Sequence, residues 1–415
     1  MSAPENNKKR RRLVILMSVL GPGLIAASAG NDSGGISTYS VAGASFGYDT
    51  LWMIFVMTFS LVIVQETAAR MGAVTGKGFA ALIRERYGVR LTLLAMIALL
   101  VSNAATSVAE FAGIAASMEL FGISKYIAVP VGAVIVWLLV VRGSYRNVEK
   151  VLLALSAVFV AYVFAAVMAK PDWAEVARAT VIPKFTFSRP FIVLVIATVG
   201  TTIAPWMQFF VQSNMVDKGV NVKELAFQRV DVIVGAVLAN IIAWFIIVTT
   251  GTVLFPAGIA VTDAAQAASA LAPIAGSYAQ TLFAIGLLSA SVLAACVLPL
   301  TAAYAICEAF GWETGIDRSW SEAPAFNGIY TFVIAFGAAV ILLPRLDLIT
   351  IMVFSQAING VLLPFLLIFM MGIANDRHIM GRYANGPIYN IMSWATILVV
   401  IALTAALLFM TLFGL

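Results

Sequence analysis

The sequence predicts an all-α polytopic membrane protein built from two inverted five-helix repeats and an eleventh helix. Hydrophobic side chains make up 62% of the 415 residues and charged ones only 11%, against about 25% charged in soluble domains. Apolar runs of roughly twenty residues recur along the chain, and each could cross a hydrocarbon layer about 30 Å thick. Because backbone groups in lipid must bond to one another, these runs are expected to be helices.

Each apolar run is bounded by charged residues, glycine or proline, and about eleven such runs can be recognised. The first and the sixth contain glycine, proline or polar residues at their centre. Two broken helices that lead two sets of five are typical of inverted repeats. The predicted spans begin near Leu13, Thr50, Leu91, Tyr126, Val148, Phe191, Leu225, Ala270, Phe326, Leu348 and Ile388.

This pattern divides the chain into four parts. They are a basic N-terminus (residues 1–12), a first repeat of spans one to five (13–170), a second repeat of spans six to ten (191–373) and the eleventh span (388–413). The first apolar stretch is too long for a signal peptide and lacks a clean cleavage site, so we expect it to be retained. Residues 76–90 predict a short interfacial helix, and residues 171–189 an external connection.

Lysine and arginine concentrate in the N-terminus and in the even-numbered connections. Positively charged loops remain on the cytoplasmic side of a membrane, so this distribution predicts a cytoplasmic N-terminus. We expect an integral protein of a prokaryotic plasma (inner) membrane. Examples of these bases are Arg10, Lys77, Arg146, Lys218, Arg318 and Arg382.

Several function classes are disfavoured by the residue inventory. The single histidine, His378, falls in a polar loop, and the two cysteines, Cys296 and Cys307, share one apolar region without a metal-ligand spacing. A membrane enzyme would need a nucleophile, a base or a metal cluster, and none can be assembled. We therefore expect no enzyme and no resident cofactor. The net charge of +5 requires no nucleic-acid partner.

The first break places Asp32 among glycines at the expected centre of the membrane. An unpaired carboxylate there costs at least about 2.5 kcal/mol, so something must compensate it. One interpretation is a structural carboxylate that caps the following half-helix. The other is a cation ligand, because glycines let carbonyls turn toward the site and the carboxylate supplies a hard oxygen.

A second acid, Glu110, lies in span three at similar expected depth. It could tie span three to the unwound backbone, or it could belong to the cation site. Neutral amide side chains in spans six, seven and ten are more often contacts between helices, but several converging on one acid would form an oxygen-lined site. These amides are Gln208, Gln212, Asn240, Gln356 and Asn359.

The chain resembles the Nramp family of divalent-metal transporters, and specifically its Nramp-related magnesium transporter branch. The resemblance runs over nearly the whole chain and implies a LeuT-like fold. In that family the first break carries the metal-binding aspartate, which corresponds to Asp32. The similar motifs are Gly21-Pro22-Gly23 with Asn31-Asp32-Ser33-Gly34-Gly35, residues 65–76, residues 107–113, Glu308 with Gly311-Trp312, residues 315–318, Ser355-Gln356, Leu363-Pro364-Phe365 and Met380-Gly381-Arg382.

Departures from the family pattern suggest the substrate. The asparagine of the first break is replaced by Gly35, and the methionine of the second break by Ala204. A thioether favours polarizable transition metals, whereas Mg2+ prefers oxygen and gives up its waters reluctantly. The replacements remove the sulfur and make room for a hydrated ion. Met207 is nearby, but it is displaced by three positions and is not expected to replace the lost sulfur.

Proton coupling is also disfavoured by the resemblance. Family histidines in span six correspond to Trp206 and Val211, and an acidic position in span three corresponds to Ser107. Glu110 remains, and we assign it to the outer shell, where it would bond a water on the ion. The resulting prediction is a uniporter for Mg2+, and also Mn2+, that holds a partly hydrated ion between the two breaks. The predicted metal-site residues are Asp32, Gly35, Glu110, Ala204, Gln208 and Gln356.

Three alternatives stay open on sequence alone. A proton-coupled Mn2+ or Fe2+ carrier of the same family is the nearest, although the methionine and histidines are missing. An amino-acid carrier of the wider LeuT-like class is disfavoured because an acid occupies the place where a substrate carboxylate would bind. A receptor or structural subunit would explain neither break. The expected partners are the divalent ion and the lipid bilayer, and the oligomeric state is not predicted.

Overall fold

The structure, a computed structural model, describes residues 30–141, 157–315 and 318–413. The predicted starts of spans one and five, Leu13 and Val148, lie outside these residues. Short 3-10 segments cover Ala157–Val160, Gly276–Tyr278 and Gly381–Tyr383. The helices of the described chain are α1 (Ser33–Phe46), α2 (Leu51–Thr75), α3 (Phe79–Glu119), α4 (Lys125–Val141), α5 (Ala161–Ala169), α6 (Trp173–Val181), α7 (Arg189–Thr202), α8 (Pro205–Asp217), α9 (Leu225–Val253), α10 (Ala264–Ser269), α11 (Ala272–Ala275), α12 (Ala279–Phe310), α13 (Pro324–Ile341), α14 (Leu348–Ala374), α15 (Arg377–Met380) and α16 (Pro387–Phe413).

Eight segments of the described chain are long and apolar enough to cross a membrane, and α4 is a shorter apolar helix. Several begin where the sequence predicts. Helix α2 begins one residue after Thr50, α9 begins at Leu225 and α14 at Leu348. The agreement has a local cause at α14, because the Asp347 side chain accepts the N–H of Thr350 at 3.1 Å and so fixes the first turn.

The longest segment, α3, consists of two helices that meet at Gly88. At this residue φ 76° and ψ 173° leave helical geometry and divide the 41 residues into a short first helix and a long apolar one. Glycine adopts such a positive φ at little cost. The structure therefore agrees with a short helix within residues 76–90 followed by a span from near Leu91.

Two further regions correct the predicted boundaries. Residues 264–278 form short helices and turns, so α12 begins at Ala279 rather than near Ala270. The connection expected over residues 171–189 contains α6, which is capped by Asp172 through the N–H of Ala174 at 2.9 Å. Helix α6 lies between apolar spans, whereas residues 272–278 belong to the same apolar segment as α12, Ala272–Phe310.

Helices α7 and α14 cross in direct backbone contact. A Cβ built on Gly200 would lie 2.0 Å from the carbonyl oxygen of Gln356, and one built on Gly360 would lie 2.2 Å from that of Ile196. Small residues permit this closeness between membrane helices. The crossing places the end of α7 beside the middle of α14, where the candidate site lies.

A charged cluster ties α2 to α9 and is called here the Glu66 cluster. It is formed by the buried Glu66 and Arg70 and by the partly exposed Arg229. The carboxylate of Glu66 accepts Arg70 Nε at 3.2 Å and Arg229 Nε at 2.7 Å. Arg70 also donates to the Asn385 side chain at 2.6 Å and to the Tyr383 carbonyl, both before α16. Glu66 and Arg70 are 2% and 4% exposed, so each buried charge is offset by a partner.

Candidate metal site

Both predicted helix breaks, one on each side of the candidate site, are present in the structure. At the first, the backbone is extended at Asp32 (φ −71°, ψ 179°) before α1 begins at Ser33. At the second, α7 ends at Thr202, and Ala204 is extended (φ −65°, ψ 140°) before Pro205 begins α8. Unwound backbone at membrane depth is tolerated where protein or a cavity surrounds it.

Asp32 is buried and caps α1. Its Oδ1 accepts the N–H of Gly35 at 2.6 Å, and the residue is 2% exposed. The structural interpretation of this acid therefore has a geometric basis. A carboxylate offers about four lone-pair sites, so one capping bond leaves the group able to bind a cation as well.

Glu110 is held against the first break by Ser33. Glu110 Oε2 accepts the Ser33 N–H at 3.3 Å and lies 2.9 Å from the Ser33 hydroxyl. Its other oxygen, Oε1, is buried without a hydrogen-bond partner. The Asp32 and Glu110 carboxyl groups lie close enough to interact electrostatically. Two buried carboxylates repel when both are charged, and a divalent cation beside them would neutralise that repulsion.

The amides of α14 form a chain that reaches Asp32. The Gln356 Nε2 lies 3.5 Å from Asp32 Oδ1, and Gln356 Oε1 accepts the Asn359 side chain at 2.9 Å. Asn359 is fixed in turn by Thr106, which accepts from it at 2.8 Å, and by Ser102, which donates to it at 2.6 Å. In this arrangement Gln356 presents its N–H group to the acid, and a half-turn of the amide would be needed to present its oxygen.

The remaining amides do not contact Asp32. When its hydrogen bonds are satisfied, Gln208 donates to the carbonyl oxygens of Ala204 at 2.8 Å and Pro205 at 2.5 Å, at the second break. Gln212 donates to the Lys77 carbonyl at 2.8 Å, and Asn240 donates to Thr58 at 3.0 Å. These last two act as contacts between helices, in agreement with the more conservative interpretation of such side chains.

Methionine sulfur lies closer to the first break than the sequence spacing indicates. Met207 packs on Gly30, where an added Cβ would lie 2.4 Å from the methyl carbon and 3.9 Å from the sulfur. Gln65 places its amide nitrogen 3.7 Å from that sulfur. With Asn31 these residues line a small cavity. The methyl group, rather than the sulfur, faces the unwound backbone.

Several polar atoms around the breaks are buried without partners. They include the Thr201 hydroxyl, the Ser107 hydroxyl and the Trp206 indole N–H. Trp206 and Val211 are fully buried, so apolar side chains occupy both positions where the family resemblance places histidine. The unpaired Thr201 hydroxyl is not evident from the sequence, although the residue lies in the break motif, because threonines in a helix usually bond to their own backbone.

The sequence matches a known family along most of its length. The family described as natural resistance-associated macrophage protein-like (Nramp) matches residues 23–410. The divalent metal cation transporter MntH of Yersinia enterocolitica is 27% identical over 416 residues, covering 95% of each chain. The MntH of Aeromonas hydrophila is 28% identical over 411 residues, covering 94% of this chain and 95% of that protein.

Solved structures share the fold. The Eremococcus coleocola manganese transporter superposes with a TM-score of 0.75 at 22% identity, covering 95% of this chain and 86% of that one. Mhp1, a nucleobase-cation-symport-1 family transporter, gives 0.57 at 14% identity, covering 94% and 92%. The predicted LeuT-like fold is confirmed, while the exact residues that bound its two repeats stay a prediction. With its two helix breaks and buried aspartate, the chain belongs to the Nramp family.

Proposed function

We propose that this protein carries divalent cations, chiefly Mg2+ and also Mn2+, across a prokaryotic plasma membrane, with its N-terminus in the cytoplasm. The observation that supports this most is the buried carboxylate of Asp32 at a glycine-flanked break, which is 2% exposed and is met by the Gly35 N–H and a weak amide contact, neither of them positively charged. Relatives named as divalent metal cation transporters support the ion class. A transported ion would supply the missing positive charge.

The preference for Mg2+ rests on the chemistry around this acid. The Ala204 side chain is only a methyl group at the second break, and Met207 turns its methyl rather than its sulfur toward Gly30. The groups in contact with Asp32 are a backbone N–H, the Gln356 amide and the Glu110 carboxyl, and such groups suit a hard ion that retains part of its water shell. The magnesium-specific branch suggested by the sequence is part of this proposal.

The residues at the second break also support transport without protons. Trp206 and Val211 are buried and cannot titrate near neutral pH, which leaves Glu110 as the second acid at the break. The membrane potential is a sufficient driving force, because two charges crossing 100 mV gain about 4.6 kcal/mol. That energy supports a concentration ratio of roughly a thousandfold.

Flux into sealed liposomes containing only this protein tests the function. Asp32→Asn should abolish Mg2+ uptake and leave the protein folded, because asparagine caps helices as well as aspartate does but carries no charge. Asp172→Asn is the matched control, since it changes another capping aspartate on α6 and should transport normally. Uptake by Asp32→Asn at the rate of the unaltered protein would contradict the assignment of Asp32 as the primary ligand.

A pH-sensitive dye inside the same liposomes tests the coupling. Mg2+ or Mn2+ uptake should occur without acidification of the lumen, because the span-six positions hold no titratable side chain. Acidification in proportion to metal flux would contradict uniport. It would favour the alternative function, a proton-coupled Mn2+ or Fe2+ transporter.

A further inference from the structure

The Thr201 hydroxyl stands out among the threonines at the end of α7. Thr198 donates to the Leu194 carbonyl at 2.8 Å and Thr202 to the Thr198 carbonyl at 2.7 Å, the usual bonds of a helical threonine. Thr201 is 1% exposed, and its Oγ1 has no hydrogen-bond partner. The nearby Tyr39 hydroxyl bonds to Thr202 at 3.0 Å and interacts with the Thr201 hydroxyl as well, but no group among the described residues reaches Thr201 Oγ1 with full hydrogen-bond geometry. A buried hydroxyl left in this way is destabilising unless something binds it.

The Thr201 hydroxyl lies beside Gly35 and Asp32. A Cβ built on Gly35 would lie 2.8 Å from Thr201 Oγ1, 3.1 Å from the Gly30 carbonyl oxygen and 3.3 Å from Asp32 Oδ1. A hydroxyl, a carbonyl and a carboxylate therefore surround the space that any side chain at Gly35 would enter. These oxygens come from α7, from the unwound backbone and from the cap of α1, so the space lies between the two breaks.

We propose that Thr201 is a further binding residue, whose hydroxyl accepts a hydrogen bond from a water retained by the divalent cation beside Asp32. This inference rests on the proposed function and adds a residue to its site. Mg2+ keeps several of its waters in proteins, and waters on a cation donate hydrogen bonds strongly. A hydroxyl offers two acceptor lone pairs, and with glycine at position 35 no side chain stands between the hydroxyl and Asp32 Oδ1.

Water binding by Thr201 would account for two features together, the glycine at position 35 and the threonine at position 201. Any side chain at Gly35 would approach Thr201 Oγ1 and the Gly30 carbonyl, so it would displace the water that the hydroxyl holds. Glycine at one position and threonine at the other therefore form one unit. Removing the hydroxyl or filling the space should weaken the same interaction, and the two changes should not be additive.

Two measurements test the inference. One is the thermal stabilisation of the purified protein by added ions, titrated with Mg2+ and separately with Mn2+, and the other is flux into liposomes. Thr201→Val preserves shape and removes the hydroxyl, and we expect the apparent Mg2+ affinity to fall about tenfold with little change in maximal flux. Thr201→Ser should restore the affinity. Gly35→Ala should weaken binding similarly, and the double variant should be no weaker than either single variant. Thr198→Val, which removes a buried but paired hydroxyl on the same helix, is the control.

The outcomes separate this inference from the function on which it rests. Unchanged Mg2+ affinity in Thr201→Val would overturn it while leaving the transport function intact. Equal loss in Thr198→Val, or additive effects in the double variant, would also overturn it by showing a packing role. If valine lowers the ion-free unfolding temperature, Thr201→Ala compared with Thr201→Ser isolates the hydroxyl. No stabilisation of the unaltered protein by either ion would reject the function and the inference together.

Discussion

The first helix break and the Glu66 cluster both bury carboxylates, yet their surroundings differ. Glu66 accepts two guanidinium groups, from buried Arg70 at 3.2 Å and from partly exposed Arg229 at 2.7 Å, so its charge is offset by side chains of the protein. Asp32 receives one backbone N–H, one weak amide contact and a contact from the Glu110 carboxyl, none of which brings a positive charge. A buried charge without a counter-charge is costly. The cluster therefore contains its own counter-charges, whereas the proposed function assigns the counter-charge at the break to a transported cation.

The largest expected effect is a loss of folding stability without a change in transport selectivity, and it follows from removing Glu66. Glu66→Ala leaves Arg70 buried without its carboxylate, and should lower the free energy of unfolding by about 3 kcal/mol. The fraction that remains folded should transport Mg2+ with unchanged selectivity. Chemical unfolding in mixed micelles and flux per folded molecule measure the two quantities.

The control for this variant is Glu85→Ala. Glu85 pairs with Lys77 at 2.6 Å, but both side chains are about half exposed, at 54% and 49%. Such a pair contributes at most about 1 kcal/mol. Equal destabilisation by the two variants would remove the distinction between the cluster and an ordinary surface pair.

A smaller effect is expected on selectivity at the break. Ala204→Met combined with Gly35→Asn adds a thioether and fills the space beside Asp32. The ratio of Mg2+ to Mn2+ transport should then fall about tenfold, or about 1.4 kcal/mol. Competition between the two ions in liposomes measures this ratio. Ala204→Leu with the same asparagine matches the size without sulfur and should shift the ratio less; an unchanged ratio in the methionine variant would remove these positions from the selectivity argument.

The smallest effect concerns the outer acid. Glu110→Gln keeps the shape of the side chain and its contact with Ser33 but removes the charge that faces a water on the ion. We expect the apparent affinity for Mg2+ to fall about threefold, since the interaction passes through water. Glu119→Gln changes an exposed acid at the C-terminal end of the same helix and should have no effect. Complete loss of flux in Glu110→Gln would indicate direct ligation or proton transfer instead.

The sequence predicts most of the fold because charged and helix-breaking residues bound the apolar runs directly. Residues Leu225 and Leu348 begin helices as expected, and the breaks follow from glycine and proline inside apolar runs. The division of α3 into a short helix and a span is also predicted, because the polar residues before Leu91 cannot span a membrane. The angle at which the two helices meet at Gly88 could not be predicted, because it depends on packing rather than on composition.

The site is predictable as a set of residue types but not as a set of contacts. Asp32 is singled out by its charge in an apolar run, and the structure places Glu110 and Gln356 beside it. Which atom of Gln356 faces the acid depends on Asn359, which donates to its oxygen. Thr201 differs from its neighbours only in having no partner, and that property appears only when the helices are assembled.

The glycine crossing of α7 and α14 has a mechanical consequence. Because Gly200 and Gly360 bring the two backbones into contact, neither helix can slide or rotate past the other without a clash. We therefore expect the two helices to move together and to keep Thr201 and Gln356 at a fixed spacing. The unwound residues Ile203 and Ala204 separate this pair of helices from α8. If the site opens to one side of the membrane, we expect α8 to move relative to the pair.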